Sequence, residues 1–397
     1  MIAAGSLRVV LVANYAADEQ RSMLRFADML ASELADEGVD VQTWRPEARV
    51  GGGTPPSGLN KFLGYIDKFV LYPPRLRHEA GSRAGMRTVV HVCDHSNAIY
   101  AQWLQGIPHV VTCHDLIAVR SALGEFPVAP TRWTGRRLQA MVRRGLQQAD
   151  RIVCDSDATR RDVQRIVRAG DYTLIHPGVS RAFKRTPPEE ALARLERLEP
   201  ARGDAAAWRR AIAAPYLLHV GGNQWYKNRA GLIESYAAMV ARMPAAPPLV
   251  VVGKPLTREL TGAIDAHSLQ GRVFSVAAVD DDELAAAYSR AALLFFPSLV
   301  EGFGWPVLEA MACGCRVVTS NRLPMSEVGS SVASFVDPAD PRASAATLEA
   351  VLGEPAPERD RRVQDGLARA ATFNSRAMAR AYLSTYTDAV ARRRRAA

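Results

Sequence analysis

The feature that most constrains the fold is the regular alternation of short apolar runs with longer amphipathic stretches along the chain. The first apolar run is 7–13, and residues 21–37 then carry apolar side chains at helical spacing. Gly38 follows and is suited to end that helix. Strands that alternate with crossover helices form parallel sheets covered by helices on both faces. The pattern therefore predicts an α/β protein.

The apolar runs fall into two series, each sufficient for one doubly wound sheet. The first series predicts strands at 7–13, 39–43, 88–92, 109–113, 151–154 and 172–175. The second series predicts strands at 216–220, 249–252, 273–276, 292–296, 316–319 and 334–336. Helices fit within the second series at 228–242, 282–290, 306–313 and 342–352, and a last amphipathic helix follows it at 375–393.

The length of 397 residues also favours two domains, because single cores rarely exceed roughly 250–300 residues. The segment 187–215 is rich in charge, Ala and Pro and carries no strand pattern, so we expect the boundary within it. The predicted domains are 1–190 and 205–374, followed by the terminal helix in 375–397.

The composition restricts location and partners. The net charge is +9, and residues 1–185 hold 25 Lys and Arg against 18 Asp and Glu, which places most of the excess in the first half. A basic surface is compatible with nucleic acid, an anionic membrane or a phosphorylated substrate, and equally with a solvated arginine-rich surface. No leader pattern and no 18-residue apolar run is present, so we expect a cytoplasmic protein. The five cysteines lack metal-ligand spacing and are predicted to be buried thiols.

The most informative segment is 295–320, which reads FFPSLVEGFGWPVLEAMACGCRVVTS. It predicts a buried strand, a loop with two glycines and a helix that opens near Pro306. Such a loop can direct backbone N–H groups and the positive end of a helix at an anion such as pyrophosphate. Glu301 and Glu309 stand eight residues apart in this segment. A carboxylate near a helix start is also a common partner of the helix dipole, so the spacing alone leaves both interpretations open.

The segment resembles the signature of glycosyltransferase family 4, the retaining enzymes with the GT-B fold, in which a Glu-x7-Glu motif lies among EGFG, LEAMACG and VVTS. Weaker similarities extend along the chain: VTCHDL at 111–116, IVCDS at 152–156, IHPGV at 175–179, LHVGGNQWYKN at 218–228 and VVGK at 251–254. The resemblance implies two Rossmann-like doubly wound domains that face each other across a cleft. The first domain would bind the acceptor and the second the nucleotide-sugar donor, with the terminal helix crossing back to the first.

The resemblance also assigns roles within the donor domain. Glu309 would accept hydrogen bonds from the ribose hydroxyls, and Glu301 would lie beside the donor hexose. Lys227 would stabilise the charge that develops on the leaving phosphate. Many relatives carry an arginine five positions earlier, where this chain has Gly222, so Arg229 and Lys254 are the alternative cations. The full set of expected donor-binding residues is Glu309, Phe303, Gly304, Trp305, Val307, Lys227, Gly222, Asn223 and Lys254.

The first domain contributes the remaining candidates. His114 follows the strand 109–113 at the edge where ligands bind in open α/β sheets, and the resemblance implies that it contacts the donor sugar. With Glu301 and Lys227 it completes the expected catalytic set. Asp115 is expected to orient His114 or to cap the next helix. Asn14 and Tyr15, with Asp115, are the acceptor-side candidates, although many relatives have a pair of glycines where the first strand ends in Ala13, Asn14 and Tyr15.

Two acidic clusters could be mistaken for an Asp-x-Asp metal site, namely Asp155 with Asp157 and the run 280–282. The second opens a predicted helix, where aspartates cap and complement the dipole. We expect no metal and no other cofactor.

The stretch 59–77 mixes aromatic residues with Lys and Arg, which suits contact with anionic lipid or a lipid-linked acceptor at the inner face of the cell membrane. A core helix with a basic rim is the alternative.

The sequence thus predicts a retaining hexosyltransferase of bacterial surface-polysaccharide synthesis, with GDP-mannose as the first donor to test and a glycan or lipid-linked oligosaccharide as acceptor. A UDP-hexose donor is the close alternative. A nucleotide-sugar epimerase, a phosphorylase and a basic nucleic-acid-binding protein are the rivals from other classes. We expect no specific nucleic acid because no zinc-finger spacing or RNA-recognition signature is present.

Overall fold

The computed structural model describes residues 7–51, 58–82, 87–168 and 171–396. The side chains of residues 58, 59, 61 and 394–396 lie outside that description. The described chain divides into two compact units. The first contains the residues up to Ser180 together with those from Asn374 onward, and the second runs from Arg181 to Phe373.

The first unit is built on a parallel sheet of six strands. They are β1 Arg8–Val12, β2 Asp40–Trp44, β3 Thr88–Val92, β4 His109–Cys113, β5 Arg151–Cys154 and β6 Tyr172–Leu174. The spatial order is β2-β1-β3-β4-β5-β6, so the direction of progression reverses between β1 and β3. Ligands of open α/β sheets bind outside the carboxyl ends of the strands at such a reversal.

The helices of the first unit connect these strands. They are α1 Arg21–Asp36, α2 Gly58–Ile66, α3 Tyr72–Gly81, α4 Ile117–Ala122, α5 Trp133–Gln147, α6 Asp157–Asp162 and, at the end of the chain, α16 Ser375–Ala396. Two 3₁₀ segments lie at Ala16–Asp18 and His95–Trp103, and single π-helical turns continue α2 at Asp67–Leu71 and α6 at Val163–Val167.

Side chains alternate between the two faces of this sheet. Residues such as Val10, Val90 and Val111 point to one face and form a core with Leu76 of α3 and Leu146 of α5. The opposite face is covered by α1 and α16.

The terminal helix α16 is bound to the first sheet by buried polar contacts. The Tyr382 hydroxyl lies 2.9 Å from Thr112 Oγ1, and the Tyr386 hydroxyl lies 2.7 Å from His91 Nδ1. His91 Nε2 is in turn 2.7 Å from Thr112 Oγ1. At the start of the helix, Gly178 permits close approach, because a Cβ there would lie 2.2 Å from the Cα of Ser375.

The second unit is built on another parallel sheet of six strands. They are β7 Leu217–Val220, β8 Leu249–Val252, β9 Val273–Val276, β10 Leu293–Phe296, β11 Val317–Ser320 and β12 Ser334–Val336. The order β12-β11-β10-β7-β8-β9 reverses between β7 and β10, which is the arrangement of a dinucleotide-binding Rossmann sheet. Its helices are α7 Pro188–Glu196, α8 Ala205–Ala213, α9 Arg229–Arg242, α10 Arg258–Ala266, α11 Asp281–Arg290, α12 Trp305–Ala312, α13 Met325–Gly329, α14 Pro341–Leu352 and α15 Ala356–Ala371.

The boundary between the units lies earlier than the expected segment 187–215. Residues from Arg181 already belong to the second unit, because that segment folds into α7 and α8 and packs there. Leu195 and Trp208 are buried at 1% and 2% exposure, and the Trp208 indole donates a hydrogen bond to the Leu195 carbonyl. A charged, alanine-rich composition thus concealed two amphipathic helices.

All twelve predicted strands are confirmed, with shifts of one residue at some ends. The five cysteines are free and buried, as expected. Across the described ranges, none of the helices combines the length and apolar character that crossing a bilayer requires.

Candidate active site

The second unit brings two predicted site residues together at the point where its strand order reverses. Lys227 follows β7 and Glu301 follows β10, which are neighbouring strands. The Lys227 ammonium donates to both Glu301 carboxylate oxygens, at 2.8 and 3.0 Å. The two side chains are only 16% and 9% exposed. The pair is therefore largely shielded from water. Charge-assisted hydrogen bonds in such a shielded position are stronger than those at an open surface.

Local backbone geometry fixes the position of Lys227. The residue ends a 3₁₀ turn at Trp225–Lys227, and Asn228 then adopts a left-handed conformation with φ of 53°. The Asn228 side chain caps α9 by accepting from the Gly231 N–H, and its amide donates to the carbonyls of Pro297 and Pro338. Because Pro297 directly follows β10, Asn228 ties the loop that carries Lys227 to the strand that precedes Glu301.

The loop after Glu301 ends at Gly304, which precedes helix α12. Gly304 has φ of +92°, a conformation that favours glycine, and the helix begins at Trp305 with a proline in its first turn. No side chain of the described residues caps this helix start. Pro306 has no N–H and the Val307 N–H donates to the Gly304 carbonyl, so the positive end of the helix and the Trp305 N–H are what the first turn offers to an anion. Phe303 is buried and packs edge-on against the rings of Trp305 and Phe373. This packing positions the loop, and Val307 anchors the first turn in the core at 0% exposure.

Glu309 is the fifth residue of α12 and therefore lies in its second turn. The side chain is buried at 2% exposure, and its Oε2 accepts a hydrogen bond of 3.0 Å from the Tyr288 hydroxyl. Tyr288 belongs to α11 and was not among the predicted site residues. Tyr288 belongs to no recognisable sequence motif. Its contact with Glu309 is therefore seen only in the packing of α11 on α12.

The loop containing Gly222 and Asn223 is supported from behind by Arg229. The Arg229 guanidinium donates to the carbonyls of Gly221 and Lys254 and to Asn223 Oδ1. Burial lowers the pKa of Arg229 to about 10. Arg229 therefore braces two loops from within, whereas Lys254 is exposed at the carboxyl end of β8. Of the two alternative cations, the Lys254 ammonium is more accessible than the Arg229 guanidinium.

In the first unit, Asn14 joins the ends of β1 and β3. Its amide donates to Asp94 Oδ2 at 2.5 Å, and its oxygen accepts from the Asn97 amide at 3.1 Å. Tyr15 is also engaged internally, since its hydroxyl contacts the Gly51 carbonyl and Asp67. Burial, together with the Asp67 carboxylate, raises the pKa of Tyr15 to about 12.

His114 is held by two acceptors at the end of β4. Its Nδ1 lies 3.2 Å from Asp155 Oδ2 and its Nε2 lies 2.9 Å from the Cys93 carbonyl oxygen. A carbonyl oxygen and an ionised carboxylate both accept hydrogen bonds and cannot donate them. The geometry therefore suits an imidazolium that carries a proton on each ring nitrogen. Burial alone lowers the pKa of His114, but the hydrogen bond and charge of Asp155 outweigh burial and raise it.

Asp115 does not orient His114. Its carboxylate accepts from the Ile117 N–H at 2.8 Å and thus caps the start of α4, which was the other expected role. The orienting residue is Asp155 at the end of β5, because parallel neighbouring strands end at the same edge of the sheet. Asp94 and His95, after β3, complete this polar edge: His95 Nδ1 lies 3.2 Å from Asp94 and its Nε2 lies 3.9 Å from Asp115. Polar residues directly after a buried strand, as in the run DHSN, were the overlooked signal.

The other acidic clusters have structural partners. Asp280 forms a capping box with Glu283 at the start of α11, as expected for that run. Asp157 forms ion pairs with Arg160 and Arg161. No group of three or more His, Cys, Asp or Glu side chains suited to a metal ion occurs among the described residues. Metal independence remains a prediction.

Family profiles cover both units. The profile described as Glycosyltransferase Family 4 matches residues 23–183, and that described as Glycosyl transferases group 1 matches residues 206–368. The chain belongs to glycosyltransferase family 4. The Glu-x7-Glu motif of this glycosyltransferase, Glu301 to Glu309, lies within the second matched region. Its first glutamate is the one that pairs with Lys227.

Individual relatives are more distant. O-antigen chain mannosyltransferase B of Escherichia coli is 26% identical over 209 residues, which is 52% of this chain and 52% of that protein. D-inositol 3-phosphate glycosyltransferase 2 of Catenulispora acidiphila is 26% identical over 332 residues, 73% of this chain and 72% of that protein. Among solved structures, sucrose-phosphate synthase of Thermosynechococcus elongatus superposes with a TM-score of 0.73 at 21% identity, covering 97% of this chain and 99% of that one. The structural likeness confirms the GT-B fold.

Proposed function

We propose that this glycosyltransferase moves a hexose, with mannose from GDP-mannose as the first candidate, to a hydroxyl of a glycan or lipid-linked oligosaccharide. The observation that carries the proposal is the Lys227–Glu301 pair at the strand reversal of the second sheet, beside the uncapped start of α12. A cation and a helix N-terminus at this edge suit a diphosphate, and the buried Glu309 carboxylate on the same helix suits ribose hydroxyls.

The proposed reaction retains the anomeric configuration by departure and attack on one face of the sugar. The bond from the anomeric carbon to the diphosphate oxygen breaks, and a bond to the acceptor oxygen forms on the same face. The acceptor proton passes to the departing phosphate oxygen. Lys227 would stabilise the negative charge that develops there, and Glu301 would stabilise positive charge at the anomeric carbon. We disfavour a covalent double displacement because the sequence shows no carboxylate pair of the glycosidase type.

The first choice of donor rests on the motif and on relatives. The motif resembles those of bacterial mannosyltransferases, and a mannosyltransferase of O-antigen chains is among the similar proteins. A UDP-hexose donor is the alternative to test beside GDP-mannose. We propose that the donor binds the second unit and that the polar edge of the first sheet serves the acceptor, in a cytoplasmic enzyme that needs no metal or cofactor.

The test is thermal stabilisation of the full chain by GDP-, UDP-, dTDP- and ADP-linked hexoses, with EDTA present. A ligand at a hundred times its Kd stabilises the bound state by about 2.7 kcal/mol, which gives a shift of several degrees. We expect the shift with GDP-mannose and its loss in Lys227→Met. Arg209→Met is the control for loss of a positive charge and should keep the shift, since Arg209 is exposed on α8, a helix that carries none of the site residues.

Glu309→Gln keeps the size of the side chain and the contact with Tyr288, so it separates loss of ribose binding from loss of packing. A shift with UDP-hexoses alone would replace the donor and leave the site intact. Isomerised donor or released sugar phosphate after incubation without acceptor would identify an epimerase or a phosphorylase instead. No shift with any nucleotide sugar would overturn the proposed donor site.

A further inference from the structure

Helix α5 of the first unit carries a concentration of positive charge that the proposed transfer reaction does not use. The segment 126–149 holds five arginines and no acidic residue. They are Arg132, Arg136, Arg137, Arg143 and Arg144. Throughout the described chain, none of these five forms an ion pair with a carboxylate, whereas the neighbouring Arg120 pairs with Glu125 and Asp162.

The inward side of α5 fixes which residues face solvent. Val142, Gly145 and Leu146 are buried on the sheet side. Gly145 lies so close to the 3₁₀ segment His95–Trp103 that a Cβ there would be 2.2 Å from the Ala98 carbonyl oxygen. This close packing sets the orientation of the helix about its axis, and the opposite side faces solvent.

That outward side combines apolar and cationic groups. Trp133 is 67% exposed and Met141 is 47% exposed, and both lie on the helical face that also carries Arg137 and Arg144. The Arg137 guanidinium lies 5.0 Å from the centre of the Trp133 ring. The loop before the helix adds Val128, which is 74% exposed. We propose that the outward side of α5, with this loop, is a surface that binds anionic lipid bilayers.

The exposed apolar groups favour a bilayer over nucleic acid as the partner. Tryptophan is enriched at the membrane–water interface, where its ring lies among the headgroups, and arginines nearby gain from the negative surface potential. Arginine stems can also lie against acyl chains while the guanidinium reaches the headgroups. A phosphate backbone alone would use the arginines and leave Trp133, Met141 and Val128 in water.

The segment 59–77, where the sequence suggested membrane contact, exposes Phe62, Val70 and Leu71, but its described basic side chains have internal partners. Lys68 there is buried and bound to Asp18, and Arg75 pairs with Glu47 and Glu79. Arg77 donates to the Trp103 carbonyl. The side chains of residues 59 and 61 lie outside the described set. Composition correctly located the excess charge in the first half of the chain. In the described part of 59–77, Lys68 and Arg75 pair with carboxylates, whereas the five arginines of 126–149 do not.

The experiment measures binding of the full chain to vesicles of phosphatidylcholine alone and of equal parts phosphatidylcholine and phosphatidylglycerol, at about one tenth molar salt. We expect binding to the anionic vesicles only. The triple variant Arg136→Gln, Arg137→Gln, Arg144→Gln should bind on the order of a hundredfold more weakly, since each arginine near an anionic surface contributes about fivefold.

The matched control removes the same charge elsewhere, in Arg209→Gln, Arg258→Gln, Arg342→Gln. These three arginines are exposed, lie in the second unit and have no ion pair among the described residues, so the control should bind within about twofold of the parent. Trp133→Ala should weaken vesicle binding severalfold without changing thermal stability, because the ring is mostly in water.

Three outcomes would overturn the proposal. The first is no binding to anionic vesicles by the parent chain. The second is equal weakening by both triple variants, which would show a general effect of net charge. The third is duplex DNA competing fully for the α5 arginines while Trp133→Ala binds vesicles as well as the parent. None of these bears on the donor site, which the thermal-shift test addresses separately.

Discussion

At the residue scale, the contact that most changes the sequence-based interpretation is that between His114 and Asp155. Sequence proximity pointed to Asp115, yet the carboxylate that faces the imidazole is 41 positions away at the end of the next strand. His114 also faces Asp94 and packs edge-on against Phe26, so its surroundings contain two carboxylates and one apolar wall. This arrangement suits a protonated His114, and the direct contact gives Asp155 a positioning role.

The prediction at this scale concerns Asp155→Asn. His114 has a raised pKa in the folded state, so its contribution to stability is complete below the unfolded value near 6.5 and is lost as pH rises through the folded value. We expect the variant to lose about 3 kcal/mol at pH 6, because a buried charge loses its partner, and less at pH 9. Urea unfolding at both pH values measures the difference.

Asp157→Asn provides the comparison, since it removes a carboxylate two positions away that pairs with Arg160 and Arg161 near the surface. That variant should lose less than about 1 kcal/mol. Equal losses in the two variants, or a loss in Asp155→Asn that does not change between pH 6 and 9, would contradict a charged His114.

At the scale of single elements, the entry into α12 depends on backbone conformation more than on contacts. Gly304 has φ of +92°, and a Cβ there would meet only ordinary contacts, the nearest at 3.7 Å from Met325 Cγ. Gly304→Ala should therefore cost about 1–2 kcal/mol from conformational strain alone. It should also weaken nucleotide-sugar binding, because the loop between Glu301 and the helix would shift.

Gly262 allows the opposite result from the same substitution. It lies inside α10 and is exposed, and a Cβ at this position would meet no other atom within 4 Å. Gly262→Ala should stabilise the protein by roughly 0.5–1 kcal/mol through helix propensity. Thermal unfolding of both variants measures the two effects, and a destabilisation of similar size at both positions would refute the argument from φ.

At the scale of the whole molecule, the chain leaves the first unit at Ser180 and returns to it at Asn374. The returning helix buries Met378, Tyr382 and Tyr386 against that unit. The second unit is a single continuous segment, residues 181–373, whereas the first unit is made of two segments. The two units therefore differ in how they depend on chain continuity.

We expect a fragment 181–373 to unfold cooperatively on its own and a fragment 1–180 to lack cooperative unfolding. Joining Ser180 to Asn374 by a short Gly/Ser linker should restore it, since Gly178 and Ser375 are in direct contact. Circular dichroism melting of the three proteins measures this. A fragment 1–180 that melts at the same temperature as the joined protein would show that α16 contributes little to stability.

The sequence by itself determined the strands, six of the sixteen α-helices in the described chain and the family motif, because these follow from local periodicity and from residues adjacent in the chain. Apolar runs bounded by helical patterns gave all twelve strands, and the segment 295–320 located Glu301 and Glu309. Asp280 as a helix cap was likewise a local prediction.

Only the tertiary structure decided which charges meet. The pairing of Lys227 with Glu301, of His114 with Asp155 and of Tyr288 with Glu309 joins residues 21 to 74 positions apart. The same holds for the α5 arginines, which have no carboxylate partner in the described chain, and for the pairing of Lys68 with Asp18 and of Arg75 with Glu47 and Glu79. Electrostatic partners are set by distances of a few ångströms between side chains on different elements, and a one-dimensional pattern contains no such distance.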